Sequence, residues 1–189
     1  MKTLLIVFHS ATGGTRQMAE AAFAAATEAG ASPAGASPQE RSQERSQERS
    51  QGRSQGSTRI RLIEAQDAGV SDILAADGYL FACPENLAAM AGRMKDFFDR
   101  TYYDVVDQVN GRPYATMICA GSDGTNAARQ IARIATGWRL REVAEPLIVC
   151  THAQTKEAIQ ARKSISNADL DRCRELGAAL AAGIELGVF

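Results

Sequence analysis

Ser10, Thr12 and Thr15, set around Gly13 and Gly14, are the side chains in this sequence best placed to do chemistry. The hydroxyls are neutral hydrogen-bond donors, and the glycines let the backbone turn tightly and come close to a ligand. They follow Leu4-Leu5-Ile6-Val7-Phe8, an apolar run too short for a helix and flanked by polar residues, which marks a buried central strand. A helical pattern begins near Thr15. Strand, loop and helix start together make a nest of N–H groups with positive partial charge, suited to an anion of phosphate size. No lysine follows Gly14 as GxxxxGK[ST] demands, and GxGxxG is absent, so neither a triphosphate loop nor a dinucleotide fingerprint fits. Ser-x-Thr-x-x-Thr without a lysine suits one terminal phosphate. The plainer reading of the same residues is a Ser/Thr-capped helix after a strand.

Other reactive side chains are few. Cys83, Cys119, Cys150 and Cys173 form no CxxC and no zinc-like spacing with histidine, and Cys119 and Cys150 fall in apolar runs, so they read as reduced, buried thiols. His9 and His152 each follow an apolar run and read as strand-end residues with satisfied rings rather than metal ligands. No metal is expected.

The elements that must carry the loop alternate in type. A first helix is expected from Thr15 to Ala29, stopped by Gly30. From Ser32 to Ser57 the chain repeats Gln-Glu-Arg-Ser and has no apolar residue larger than alanine, so it reads as a low-complexity insertion (32–57) within a single domain spanning 1–189. Thr58 to Ile63 alternates as an edge strand with one wet face. Ser71 to Ala76 reads as a short helix capped by Ser71, and Gly78 to Cys83 as a third strand ended by Pro84. An amphipathic helix is expected from Met90 to Tyr103, with Met90, Met94, Phe97, Phe98 and Thr101 on its inner stripe. A fourth strand, Tyr114 to Ala120, leads through Gly121–Asn126 into a helix from Ala127 to Thr136. Leu147 to Cys150 is the fifth strand, and Asn167 to Leu186 is the closing helix.

This rhythm predicts an α/β fold with a five-stranded parallel sheet in the order 2-1-3-4-5, covered by helices on both faces as a three-layer sandwich. Ligands of such sheets bind where the order reverses, at the carboxyl ends of strands 1 and 3. The loops Ser10–Thr15, Pro84–Met90 and Gly121–Asn126 would converge there.

The first loop resembles the phosphate loop of the flavodoxin-like superfamily, which holds the 5′-phosphate of flavin mononucleotide (FMN). Phe81-Ala82-Cys83-Pro84-Glu85-Asn86-Leu87-Ala88-Ala89-Met90, followed by Ala91-Gly92-Arg93-Met94-Lys95-Asp96-Phe97-Phe98-Asp99-Arg100, resembles the ring-binding loop and next helix of NAD(P)H-dependent flavin and quinone reductases in that superfamily. The resemblance covers nearly all of the chain outside 32–57. It implies a flavodoxin-like fold, FMN as cofactor and NAD(P)H as co-substrate. It further implies that Ser10, Ala11, Thr12, Gly13, Gly14 and Thr15 hold the phosphate. Pro84, Glu85, Asn86, Leu87 and Met90 would line the ring, and Ser122, Asp123 and Gly124 would close the site. No catalytic side chain is assigned, because hydride transfer to a flavin does not strictly need one. The resemblance also implies a homo-oligomer.

Three functions follow from this reading. The first is an oxidoreductase passing electrons from NAD(P)H to a quinone, flavin or similar small acceptor. The second is a flavodoxin-type electron carrier. The ring-sandwiching aromatics of flavodoxins are missing from both ring loops, and carriers are typically strongly acidic, whereas the net charge here is −1. The third is a non-catalytic flavin-binding interaction protein that docks through the repeat. That charge gives no electrostatic case for nucleic acid or an acidic membrane surface, and no apolar run is long enough to span a bilayer. A cytoplasmic location is expected, because cleaving the first segment as a signal would destroy the loop.

Overall fold

The computed structural model describes residues 1–30 and 58–189. The expected insertion at 32–57 lies outside the described residues.

A parallel sheet forms the middle layer. Strand β1 (Thr3–Phe8) is central, with β2 (Arg59–Glu64) on one side and β3 (Gly78–Asn86) on the other. β5 (Pro113–Ala120) pairs with β3 in parallel. The last strand is broken in two: β6 (Arg141–Glu142) pairs with the start of β5, and β7 (Leu147–Cys150) with its end. Counting that pair as one strand, the order is the expected 2-1-3-4-5.

Alternation along β1 sends its side chains to two cores. Leu5 and Val7 join Tyr79, Phe81 and Cys83 beneath helices α3 (Gly92–Val105) and α4 (Thr125–Gly137). Leu4, Ile6 and Phe8 join Leu80 and Ala82 on the opposite face, under α1 (Gly14–Gly30) and the closing helix (Asn167–Leu186). The alanines of α1 have a packing reason: a Cβ on Gly177 of the closing helix would lie 2.2 Å from the Ala22 carbonyl oxygen, so the two backbones meet without intervening side chains. Trp138 is fully buried with Phe81, Phe97, Phe98 and Tyr102, and its indole N–H donates to the Tyr102 carbonyl at 3.2 Å. β2 keeps one face partly wet, as its alternation predicts.

Local structure departs from the sequence reading in three places. The short helix α2 (Val70–Leu74) is capped at Gly69, not Ser71: the Asp72 carboxylate accepts from the Gly69 N–H at 2.9 Å. Pro84 does not end β3, which continues to Asn86. The last bond from β1 goes from the His9 N–H to the Ala82 carbonyl. Pro84 comes two residues later, beyond the end of β1, where a missing N–H forfeits no ladder bond. The helix expected from Met90 begins only at Gly92, because Ala89–Met90 forms strand β4, antiparallel to Glu85–Asn86. Two helices close the chain, α5 (Lys156–Gln160) and α6 (Asn167–Leu186), the second capped by the Ser166 hydroxyl accepting from Asp169 N–H. No helix among the described residues is long and apolar enough to cross a membrane.

The two ends that flank 31–57 meet: a Cβ on Gly30 would lie 2.7 Å from the Thr58 carbonyl oxygen. Loop length itself costs little, about 0.6 kcal/mol per doubling. Replacing residues 32–57 by a short Gly/Ser linker should therefore leave the thermal midpoint unchanged or a few degrees higher. A fall of roughly 5 °C or more in calorimetry would mean that the replaced residues contribute to the fold, at the usual scale of about 2–4 °C per kcal/mol.

Candidate functional site

At the carboxyl end of the sheet a cleft opens over β1 and β3. From the first loop it is lined by Ser10, Ala11, Thr12, Gly14 and Thr15. The loop is pre-turned. Ser10 Oγ accepts from the Gly13 N–H at 3.2 Å, and Gly13 holds φ +86°, a conformation glycine adopts without strain. Gly14 lies where nothing larger fits, since a Cβ there would sit 2.7 Å from Cys119 Sγ. This lets the first turn of α1 sit directly against the end of β5.

That turn is short of acceptors. The N–H groups of Gly14, Thr15 and Arg16 find none among the described residues, as expected of a helix start without a cap. Thr15 is buried, and its hydroxyl makes no well-formed hydrogen bond among the described residues, having only the weakly bonding Cys119 thiol beside it. A buried hydroxyl without a partner costs about 1–3 kcal/mol. Helix-start amides and an orphaned hydroxyl converging on one cleft fit an anionic ligand with several acceptor oxygens. Arg16 does not serve the cleft: its guanidinium pairs with Glu64 and Glu20 and lies 5.1 Å from the Phe8 ring centroid.

The second loop supplies Pro84, Glu85 and Asn86 to the cleft. The Glu85 carboxylate is turned to α4, accepting from the Gly124 N–H at 2.8 Å and the Ala127 N–H at 3.3 Å, so it caps that helix and fixes the two loops relative to each other. Leu87 and Ala88 make the two-residue turn of the β3–β4 hairpin with φ +51° and +56°. Such turns favour Asn-Gly, and a side-chain-bearing residue there is strained. Asn126 holds the turn by donating to the Ala88 carbonyl, and Gln130 accepts from the Met90 N–H at 2.9 Å. Leu87 projects fully into solvent, whereas Met90 is buried and borders a neighbouring groove rather than the cleft.

In the third loop the cleft is lined by Ala120 and Gly121. Ser122, Asp123 and Gly124 do not line it. Asp123 accepts from the Thr125 N–H and hydroxyl at the start of α4, and Gly124, at φ +87°, packs on Ile118, Ala120 and Ile148. Gly13 likewise shapes the first loop without lining the cleft. Of the sequence-derived set, the structure thus brings Ser10, Ala11, Thr12, Gly14, Thr15, Pro84, Glu85 and Asn86 together.

Sequence reasoning missed a fourth contributor. The segment after β7 brings Thr151, Ala153, Ile159 and Lys163 over the first loop, and the Lys163 N–H donates to the Thr12 carbonyl at 2.9 Å. Its only advance signal was polar composition beyond the fifth strand. Cys119 also faces the cleft, and burial raises its thiol pKa against the opposing pull of Lys163 and of the neighbouring Thr15 hydroxyl. Burial pushes Cys83 and Cys173 to about 12, so these thiols are protonated fillers near neutrality. His9, directly after β1, is held below its ordinary pKa by burial, which outweighs Glu64, with Arg93 acting in the same direction as burial.

A family model described as NADPH-dependent FMN reductase matches residues 1–155. No curated protein matches the chain. Among solved structures, a flavodoxin from the domain Archaea is similar with a TM-score of 0.66 at 15% identity, covering 96% of this chain and 98% of that one. An oxidoreductase from Corynebacterium diphtheriae gives 0.64 at 18% identity, covering 99% and 98%. The flavodoxin, WrbA-like protein from Agrobacterium tumefaciens gives 0.59 at 16% identity, covering 98% and 99%. At these identities the structural matches show the flavodoxin-like fold.

The strained hairpin yields a stability test. Replacing Leu87 by Asn and Ala88 by Gly should relieve both positive-φ residues and raise the thermal midpoint by a few degrees, at roughly 1 kcal/mol in total. A lowered midpoint would show that the turn is not strained as described.

Proposed function

The chain belongs to the NADPH-dependent FMN reductase family, and we propose that it binds FMN with the phosphate in the first loop and passes electrons from NAD(P)H to a quinone, flavin or similar small acceptor. The observation that carries this reading is the buried Thr15 hydroxyl, which among the described residues has no better partner than the Cys119 thiol, beside three helix-start N–H groups without acceptors. Such a donor set matches a phosphate monoester, whose oxygens only accept, and the absence of a loop lysine matches a single phosphate better than a triphosphate.

FMN, when bound, supplies the hydride chemistry; the protein's part is to bind, orient and exclude water. Ser10, Thr12 and Thr15 would hold the phosphate end. Asn86 and the Pro84–Asn86 backbone border the same cleft and would meet the polar edge of the ring. The small residues around the cleft mouth, Ala120 and Gly121, leave room for a second planar molecule against the ring, as direct hydride transfer requires at about 3–3.5 Å between reacting atoms.

The second nucleotide has a candidate seat next door. A groove between the hairpin and helices α3 and α4 is lined by Met90, Ile134, Lys95, Arg129 and Arg133. Lys95 is paired with Asp99. Arg129 and Arg133 stand one turn apart on α4, with no carboxylate partner among the described residues, a repulsive arrangement that an anion relieves. Arg129 donates to the Asn126 side-chain oxygen at 2.7 Å, so neither guanidinium is neutralised, and an apolar floor beside them suits the adenosine and phosphates of NAD(P)H.

Two measurements test the reading. Thr15→Val should leave the ligand-free protein as stable or more stable, while FMN affinity falls about ten- to hundredfold, the worth of a hydrogen bond to a charged group. Equal loss of riboflavin affinity would place the phosphate elsewhere. Anaerobic NADPH or NADH should bleach the visible absorbance of the FMN-loaded protein completely. An unchanged spectrum with both nucleotides, where dithionite still bleaches, would make the protein an electron carrier instead.

A further inference from the structure

The nest is covered by a strap that a simple hydroxyl loop does not need. Residues 151–165 leave β7, form α5 and return across Gly13 and Gly14 to the start of α6. One side chain joins strap and loop. Gln17 Nε2 donates to the Gly13 carbonyl at 3.0 Å and to the Lys163 carbonyl at 2.7 Å, and Gln17 Oε1 accepts from the Ile165 N–H at 3.2 Å. Both amide protons and the oxygen of Gln17 are thereby used across the junction, and the Lys163 N–H to Thr12 carbonyl bond lies beside them.

Two cations at this end of the molecule are committed to partners. Arg16 is held by Glu64 and Glu20. The Lys163 ammonium donates to the Ala158, Ile159 and Ala161 carbonyls, closing the end of α5. Arg93 and Lys156, the latter at the start of α5, have no hydrogen-bond or carboxylate partner among the described residues, and neither comes within 4 Å of a Cβ on Gly13. Arg162 likewise has no hydrogen-bond or carboxylate partner among the described residues; its exposed side chain stands outside the cleft lining but against the first loop, where a Cβ on Gly13 would be 3.8 Å from its Cγ and 4.0 Å from its Nε.

We propose that Arg162 is the charge partner of the bound phosphate, delivered by the 151–165 strap, and that Gln17 is the positioning residue that latches the strap to the loop. This rests on the reading that the first loop takes the FMN phosphate. Hydroxyls and amides alone leave a dianion unneutralised, and a guanidinium offers planar, paired N–H groups to two of its oxygens. The cation that a loop lysine would supply in other phosphate sites arrives here from the far end of the sheet.

The test is flavin affinity, read by quenching of flavin fluorescence, for FMN and riboflavin side by side. Wild type should prefer FMN. Arg162→Gln, a change at an exposed side chain, should lower FMN affinity by about three- to thirtyfold at low salt and leave riboflavin unchanged. The difference should shrink near 1 M salt, where charges are screened beyond about 3 Å. Gln17→Leu should lower FMN affinity similarly, and Arg162→Gln should add little in that background, a non-additivity expected only if Gln17 acts by placing Arg162. Additive effects would overturn the latch. Wild type without a preference for FMN would overturn the phosphate reading itself. A preference that survives Arg162→Gln undiminished at low salt would leave that reading standing and overturn the role of Arg162.

Discussion

A helix start that has no acceptor of its own organises this molecule. The N–H groups of Gly14, Thr15 and Arg16 and the Thr15 hydroxyl meet at the end of β1, and among the described residues the chain offers them nothing better than the Cys119 thiol. Leaving such groups buried and unpaired is costly, so the arrangement makes physical sense when something anionic completes it. The buried β1, paired on both sides, aims the loop, and Gly14 allows α1 to rest on Cys119 of β5 without a side chain between them.

Around that point the other loops are locked to one another rather than left free. Glu85 of β3 caps α4, Asn126 of α4 holds the hairpin turn, and Gln17 of α1 grips the strap. Each tie joins elements far apart in sequence, so the cleft walls are set by tertiary bonds and not by local turn preference. This accounts for a turn built from Leu87 and Ala88 at positive φ, which local chemistry alone would disfavour. Preorganised walls lower the ordering cost of binding.

The fold was largely legible in the residues. Alternating strands and helices, with a run of five apolar residues in β1, imply the sheet order, because parallel strands need crossovers and the ends of β1 and β3 must meet at the switch point. The first loop and Pro84–Asn86 were legible for the same reason. The hairpin was not, since Leu87-Ala88 lacks the Asn-Gly signal and Met90, apolar and in phase with Met94, mimics a helix start. Pro84 looked like a strand end, because its harmlessness depends on where the neighbouring strand stops. The strap was invisible because its contacts, Gln17 with Lys163 and Ile165, join residues nearly the whole chain apart. Ser122 and Asp123 stand outside the cleft lining because the loop turns away after Gly121, where the Glu85 carboxylate accepts from the Gly124 N–H.

Phosphorus NMR of FMN bound to the protein reads whether the first loop holds the phosphate monoester as a dianion, as proposed. Free phosphate monoesters titrate with a second pKa near ~6. Held by helix-start amides, hydroxyls and a guanidinium, the bound phosphate should give one resonance shifted from that of free FMN and constant with pH through that range. A bound resonance that titrates as free FMN does would contradict the account.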